Sequence, residues 1–558
     1  MVIVGLVGVP QPCWAVELDL APVGSYATGL FGRSAAEIVA HCPTTQRVFV
    51  VNAESGRLDV LSLSDQGKLE YFAEVDTNVD LTGPMRVVNS VAVSQGRIAV
   101  AVEANPNTDP GDVAFYDTQT LRFLGSIQTG ALPDMVTFSP NGRWVLVANE
   151  GEPNADYTVD PEGTVTVIDL ADGIEAAVVR TAEFGDWNAG GSRADELPRL
   201  TAAGLRISGR VTLSLEPYAS RPSTFAEDVE PEWIEVSQDN STAFVCLQEN
   251  NAIAEIDVPT ARVKRLIPLG FKDHGRAGNE IDVSDRDGAI RIESWSGLYG
   301  VFQPDTIRLY SAGGRSYLVT ANEGDSRVRP ETDDEIDGLA EGSVYSDEAS
   351  LDRWPLEGAL FESVSGEGDL GRLRLIRDLV DSHLDEQGRP TRLFAFGGRS
   401  FSIFDVETGE LVFDSGSDFE RITAERFPAN FNASNDSVAF DKRSRSKGPE
   451  PEGIAIGEID GRTYAFIGLE RIGGIMVYDI SDPYQARFVS YVNNRDFSVA
   501  PQRADGSANP DAGDSGIEGL IFIPQEHSPC RKPLLVVGNE TSGTTTVWKI
   551  ATNGVTAK

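Results

Sequence analysis

The chain reads as an all-β protein, a seven-bladed β-propeller with long loop insertions containing short helices. Two observations predict it. A unit of three short apolar strands recurs seven times, with a less regular fourth strand, which is the repeat of a propeller blade. Gly (55) and Pro (30) are plentiful, while Met and His number 4 each, a bias toward turns over long helices.

The innermost strand of the unit lies at 37–42, 89–94, 133–139, 231–237, 304–310, 451–457 and 517–523. The second follows at 47–54, 97–104, 143–150, 242–249, 316–323, 463–470 and 533–540. The third, opened by Gly or a polar residue, lies at 56–63, 111–117, 163–170, 251–258, 399–406, 473–480 and 543–550. Alternation of β-branched and aromatic residues makes these strands. They are apolar at most positions because each blade buries both faces against its neighbours.

Seven blades of about 45 residues need about 315, so a single propeller over 20–552 leaves a surplus. It falls into insertions at 186–230, 324–391 and 416–450. The first predicts a short helix over 195–205 and the second a helix over 370–383. The second also carries the acidic run 331–337 and splits the fifth blade, whose inner strands end near Glu323 and whose outer strands resume at Arg392. The third holds the basic stretch Asp441 to Lys447. Insertions gathered on one face of a repeat fold shape a binding surface; solvated decoration is the alternative.

Hydrophobic residues at 41% and charged residues at 24% are a globular composition. The net charge is −39, from 86 acidic against 47 basic side chains. That excludes nucleic acid as a partner and disfavours anionic membranes. It favours cations, or a salty or extracellular setting. No run of 18 apolar residues predicts a membrane span. Residues 1–15 read as the remnant of a secretory signal, so the chain is expected outside the cytoplasm (periplasmic, secreted or on the cell surface) and as a monomer.

Cys13 would leave with the signal. Cys42 and Cys530 sit in the first turns of the first and last blades, neighbours in a closed ring. A disulfide there would latch the ring in an oxidising compartment; two separate thiols are the alternative. Cys246, inside an apolar strand, reads as a small buried hydrophobe.

The repeat also sorts the acids. The first strand of each blade starts, and the second ends, on the same face. The starting positions are Glu37, Asn89, Asp134, Glu232, Asp305, Glu452 and Glu518. The ending positions are Glu54, Glu103, Glu150, Glu249, Glu323, Glu470 and Glu540. Ring closure then gathers up to thirteen carboxylates at one mouth of the axial channel. Like charges so confined raise one another's pKa or demand a counter-cation. Ca²⁺ takes six to eight such oxygens, and Asn52, Asn149, Asn250, Asn251, Asn322 and Asn539 would add neutral ones. Arg143, Arg327 or Arg471 could pair with the acids instead, or each Glu could accept hydrogen bonds from neighbouring backbone amides. Asp285 to Gly288 resembles half of a calcium loop, but lacks the first Asp and the closing Glu, so a solvated turn is the better reading.

Other chemistries find little support. There is no nucleophile elbow, phosphate loop, dinucleotide fingerprint or His/Cys metal spacing. The four His are scattered; His274, in a polar loop-like setting, could assist acid–base chemistry, though a surface turn is the better account. Oxygen-ligated metal remains, and such a metal can polarise a phosphoryl oxygen or activate water.

Several motifs, in order, resemble the choice-of-anchor I family of bacterial surface and secreted propellers. They are Phe138 to Gly142 with Ala148 to Pro153, Pro231 to Ser237 with Leu247 to Asn251, and Lys272 to His274 with Asp282 to Gly288. Gln303 to Asp305, Ala321 to Asp325, Pro451 to Gly453 and Gly468 to Glu470 complete them. The resemblance covers about 20–552 and implies an extracytoplasmic propeller with a variable C-terminal anchor. Some members carry an alkaline-phosphatase label; no catalytic residues carry over.

Two functions follow as expectations. One is a propeller that binds a divalent cation, expected to be calcium, and an unidentified small-molecule or surface ligand at the acidic mouth. The other is a calcium-dependent phosphoesterase, a metal-dependent phosphoric ester hydrolase, at the same site. Arg399, Lys442, Arg443 and Arg471 are the candidate ligand contacts, since phosphate drawn to acidic rings needs cations.

Overall fold

Strand pairing divides most of the chain into seven antiparallel four-stranded sheets. The computed structural model describes residues 17–81, 86–209, 222–329 and 345–553; the signal reading at 1–15 and the acidic run 331–337 lie outside them. The innermost strands are Val39–Cys42, Val88–Ser94, Pro133–Phe138, Pro231–Val236, Ile307–Ala312, Pro451–Ile459 and Ile517–Ile523. Each touches the inner strand of the next sheet, and the last touches the first. Sheets numbered 1 to 7 in this order therefore close around one axis, as in a β-propeller.

The second strands are the most deeply buried. Trp144–Asn149 and Leu534–Asn539 have no exposed residue, because sheets cover them on both faces. In sheet 7 the fourth strand is Glu17–Ala27, which pairs antiparallel with Thr544–Asn553 along its length. The start of the chain thus closes the ring beside its end. Leu18 and Leu20 are buried there against Trp548 and Ile550.

That strand, and not a disulfide, is the latch. Cys42 and Cys530 are both free thiols, and they lie in different hydrophobic clusters. Cys246 is fully buried, as expected.

The second insertion differs more from expectation. Its 370–383 segment is one 3₁₀ turn (Leu370–Arg372), a short strand (Leu375–Ile376) and one helical turn (Arg377–Asp381). Leu393–Phe396 does not resume sheet 5. It pairs in parallel with Leu298–Val301 within a separate five-stranded sheet, whose own core includes Trp295, Trp354, Phe361 and Phe394. Sheet 5 resumes only at Ser400–Asp405 and ends with Leu411–Asp414. The apolar residues of the insertion supply a second core, which hydrophobic pattern alone cannot assign to a sheet. The first insertion does form a short helix, Leu197–Ala202, and the third carries the helix Asp418–Arg426.

If pairing of the first and last strands closes the ring, Leu20→Ala should destabilise the protein by about 2–4 kcal/mol in chemical denaturation. A reductant should leave the melting temperature unchanged; a drop on reduction would restore the disulfide latch.

Candidate functional site

The acids are aimed by backbone irregularity. In sheets 2, 3, 4, 6 and 7 the inner strand changes register against its partner within its first few residues. The residues at these bulges include Asn89, Asp134, Glu232, Glu452 and Glu518. A bulged residue leaves the ladder and its side chain is re-aimed. Two bulges also need glycine: a Cβ on Gly453 would sit 2.3 Å from the Glu518 carbonyl, and one on Gly519 2.9 Å from that of Glu37. Neighbouring inner strands approach that closely at the axis.

Second-strand acids arrive by register. Pro133 pairs with Asn149, Pro451 with Leu469, Ile517 with Asn539 and Val88 with Val102, so Glu150, Glu470, Glu540 and Glu103 follow one residue later. Glu323 follows Asn322 in the same way. In sheets 1 and 4 that position belongs instead to Ala53 and Gln248, because the strands end at Asn52 and Leu247. Glu54 and Glu249 lie one residue further on. Glu54 is half-exposed on a short turn, 3.7 Å from Arg33. Glu249 is buried with Arg327 at 4.0 Å. Counting acids to the end of a motif overlooks this one-residue slip, which moves a side chain away from its repeat position. Gln248 takes the place in sheet 4 and donates to Glu323 at 2.9 Å.

The remaining acids converge. Glu37, Asp134, Asp305 and Glu518, with Asn89, line a cavity of about 230 Å³ at the axis. A second cavity, about 310 Å³, adjoins it along the inner strands, and both are bounded by Ile38, Ser90, Met135 and Trp233. Beside them, oxygens of Glu323, Glu452 and Glu470 lie within 4.8 Å of one another.

Burial chiefly, and then Asp305 and Glu103, push Asp134 up to about 7. Asp305 also rises to about 7, from burial and Glu323. Burial holds Glu37, Glu150, Glu232, Glu452 and Glu518 well above the usual carboxylate range. Glu103 and Glu540 are raised by the same cause.

Built-in cations offset part of this charge. Lys447, from the third insertion, pairs with Glu323, and with Glu450 at 3.2 Å. Arg471 bonds Glu450 at 2.9 Å and Glu470 at 2.7 Å. Fully buried Glu450 also receives Arg443 at 2.5 Å, and its carboxyl is held far below the ordinary range despite burial, by Lys447, Arg443 and Arg471. Lys447 and Glu450 were not among the expected site residues; the basic stretch before the sixth blade was their only trace in sequence.

The expected ligand contacts separate. Arg471 meets Glu470 at the mouth directly, and Arg443 reaches it through Glu450. Arg399 is buried and donates to Glu420 and to the carbonyls of Asp282, Ser444 and Ser446, so this guanidinium supports the fold where a phosphate contact was expected. Lys442 lies on the surface, 3.3 Å from Asp436. His274 is buried, its Nδ1 2.7 Å from the Asn279 carbonyl. Burial and Lys272 lower it to about 3, so it stays neutral. Asp285 forms a bidentate pair with Arg372.

The chain is thus a β-propeller whose axial mouth is lined by buried carboxylates. It belongs to the choice-of-anchor I family: the choice-of-anchor I domain matches residues 37–483, which places it among surface or secreted proteins. It is 29% identical over 294 residues to the mesenchyme-specific cell surface glycoprotein of Strongylocentrotus purpuratus, covering 48% of this chain and 37% of that one. It is 30% identical over 168 residues to gigasin-3a of Magallana gigas, covering 29% of this chain and 59% of that one. Each match therefore spans less than two thirds of the relative.

Among solved structures, Kuenenia stuttgartiensis hydrazine synthase aligns over 95% of this chain and 99% of its own, at 13% identity and a TM-score of 0.44. The Myceliophteria thermophila Cps50 (Swd1) β-propeller domain aligns over 94% and 100%, at 9% identity and a TM-score of 0.41. Neither bears on function. Among the described residues, no helix is long and apolar enough to cross a membrane.

The raised carboxylates fix the sign of a pH effect. The native state keeps protons on Asp134 and Asp305 up to about pH 7, whereas the unfolded chain releases them near pH 4. Their stabilising contribution is complete below about pH 4 and is lost as pH rises through 7. In a chelating buffer the melting temperature should fall between pH 5 and pH 8. A flat or rising profile would show that the acids are ionised and compensated in the native state.

Proposed function

We propose that the protein is a secreted or surface-displayed seven-bladed propeller, monomeric and spanning 20–552 as one domain. It binds a divalent cation at its acidic mouth and presents the insertion-rich face to a ligand. The cation is calcium, because the donors at the mouth are oxygens and a hard cation suits them. The carrying observation is the triad of Glu323, Glu452 and Glu470, with oxygens within 4.8 Å of one another. One buried oxygen each of Glu452 and Glu470 has no hydrogen-bond partner among the described residues. Buried carboxyl oxygens left unpaired are costly, and a cation that displaces the protons burial holds there would satisfy both. The cell-surface name of the S. purpuratus relative supports placement outside the cytoplasm, where millimolar-affinity calcium modules operate.

A second reading, a calcium-dependent phosphoesterase, draws support from Lys447 and Arg471, cations held against Glu323 and Glu470 of the same triad. Metal and cation together would meet a phosphoryl group's charge. Hydrolysis of a chromogenic phosphate ester with added Ca²⁺ tests it, and absence of turnover under every divalent metal removes it.

The cation reading is tested on chelated protein. Added Ca²⁺ should raise the melting temperature, by an amount equivalent to about 2.7 kcal/mol at a hundredfold excess over Kd. The shift should be larger at pH 8 than at pH 5, where protons compete for the ligands. Glu452→Gln should abolish it and lower the bound calcium found by metal analysis. A wild-type protein that takes up no divalent metal would end this reading.

A further inference from the structure

Although the molecule carries a large negative charge, three arginines gather around the Asp285 carboxylate and a fourth stands beside them. Arg372 holds Asp285 through Nε at 2.9 Å and Nη2 at 3.3 Å. Arg445 Nε lies 3.4 Å from the same carboxylate and Arg286 Nε 3.9 Å. Arg374 stands beside them: its backbone N–H donates to the Arg445 carbonyl at 2.9 Å, and its guanidinium meets Glu348 at 2.8 Å.

Three guanidiniums therefore share Asp285, and a single carboxylate neutralises only one of them. The side chains remain open to solvent: Arg286 is 56% exposed, Arg374 37%, Arg445 34% and Arg372 28%. Glu367 also faces Arg372, and Arg443, beside Arg445, is engaged by Glu450. Burial first, then Arg374, with Arg372 and Arg443 adding to it, presses Arg445 below its ordinary value against the pull of Asp285. The four guanidiniums face three carboxylates, Asp285, Glu348 and Glu367, so the grouping keeps an excess of positive charge that an external anion would relieve.

We propose that this arginine cluster binds a compact tetrahedral oxyanion, the phosphate or sulfate ester group of a small ligand. Guanidinium forks match such oxygens with paired, charge-assisted hydrogen bonds. Forks arriving from separate segments, at 286, 372–374 and 445, suit an anion with acceptors on several sides better than a planar carboxylate. The net charge of −39 confines the ligand to something compact. A long polyanion would run off the cluster onto acidic surface within about a Debye length, roughly 8 Å at physiological salt. The site needs no metal.

Calorimetric titration of the full chain, in chelator and at low ionic strength, tests it with inorganic phosphate, sulfate and acetate as probes. Phosphate and sulfate should bind and acetate should not. Arg445→Gln and, at the most exposed position, Arg286→Gln should each weaken binding, about tenfold for Arg445→Gln, the loss of one charge-assisted contact. Lys442→Gln, which removes a nearby surface charge outside the cluster, should change it less than about twofold. Between pH 6 and pH 8 phosphate should gain affinity as inorganic phosphate loses its second proton, and sulfate, a dianion throughout, should not; the tighter binder at pH 8, where both are dianions, is the anion the site selects. The proposal is overturned if wild type binds neither anion, if acetate binds equally, if Arg445→Gln and Arg286→Gln both fold and bind normally, or if Lys442→Gln loses as much as they do. Because chelator is present throughout, failure of the calcium reading leaves this result untouched.

Discussion

Pairing of Glu17–Ala27 with Thr544–Asn553 is the contact on which the rest of the molecule depends. Six sheets draw their strands from contiguous or once-interrupted stretches of chain, but sheet 7 draws on both ends. Until it forms, the inner strands Ile517–Ile523 and Val39–Cys42 have no reason to stay adjacent, and the axis is open on one side. Its length and its buried Leu18 and Leu20 replace the covalent latch that two nearby cysteines suggested.

Closure has an electrostatic consequence. The repeat brings a carboxylate, an amide or a small residue to the same corner of each sheet, and a closed ring faces those corners toward one another. Water cannot screen them fully at the axis, so protonation, internal cations or a bound ion must balance the charge. The structure uses cations at some of these acids: Lys447 and Arg471 stand at Glu323 and Glu470, with Glu450 binding the two together, and Arg327 stands at Glu249. On the side of Glu37 and Asp134, the nearby ionisable groups that act on them are other acids. The mouth is therefore polarised, with a partly compensated half beside the third insertion and an acidic half opening onto the axial cavity.

The insertions contribute most of the unexpected chemistry. They build the five-stranded side sheet and its core, place Lys447 at the mouth, and gather arginines from distant parts of the sequence around Asp285. Arg399, at the start of the resumed sheet 5, shows the same economy: it joins the Asp282 loop, the helix carrying Glu420 and the 444–446 segment into one buried network.

The sequence by itself determined the repeat. Seven strand triplets and acids at their corners are local patterns, set by side-chain alternation and turn residues, and they survive into the structure nearly unchanged. Even the slips at Glu54 and Glu249 were latent there, since Ala53 and Gln248 occupy the aligned positions. What only the tertiary structure decided were matters of long-range partnership: which strand completes sheet 7, which sheet receives Leu393–Phe396, that Cys42 and Cys530 stay apart, and which basic residues meet which acids. Such choices depend on which surfaces remain unburied after the local units have formed. An apolar strand or an arginine carries no mark of its eventual partner, because burial and ion pairing are properties of the closed assembly and not of the segment.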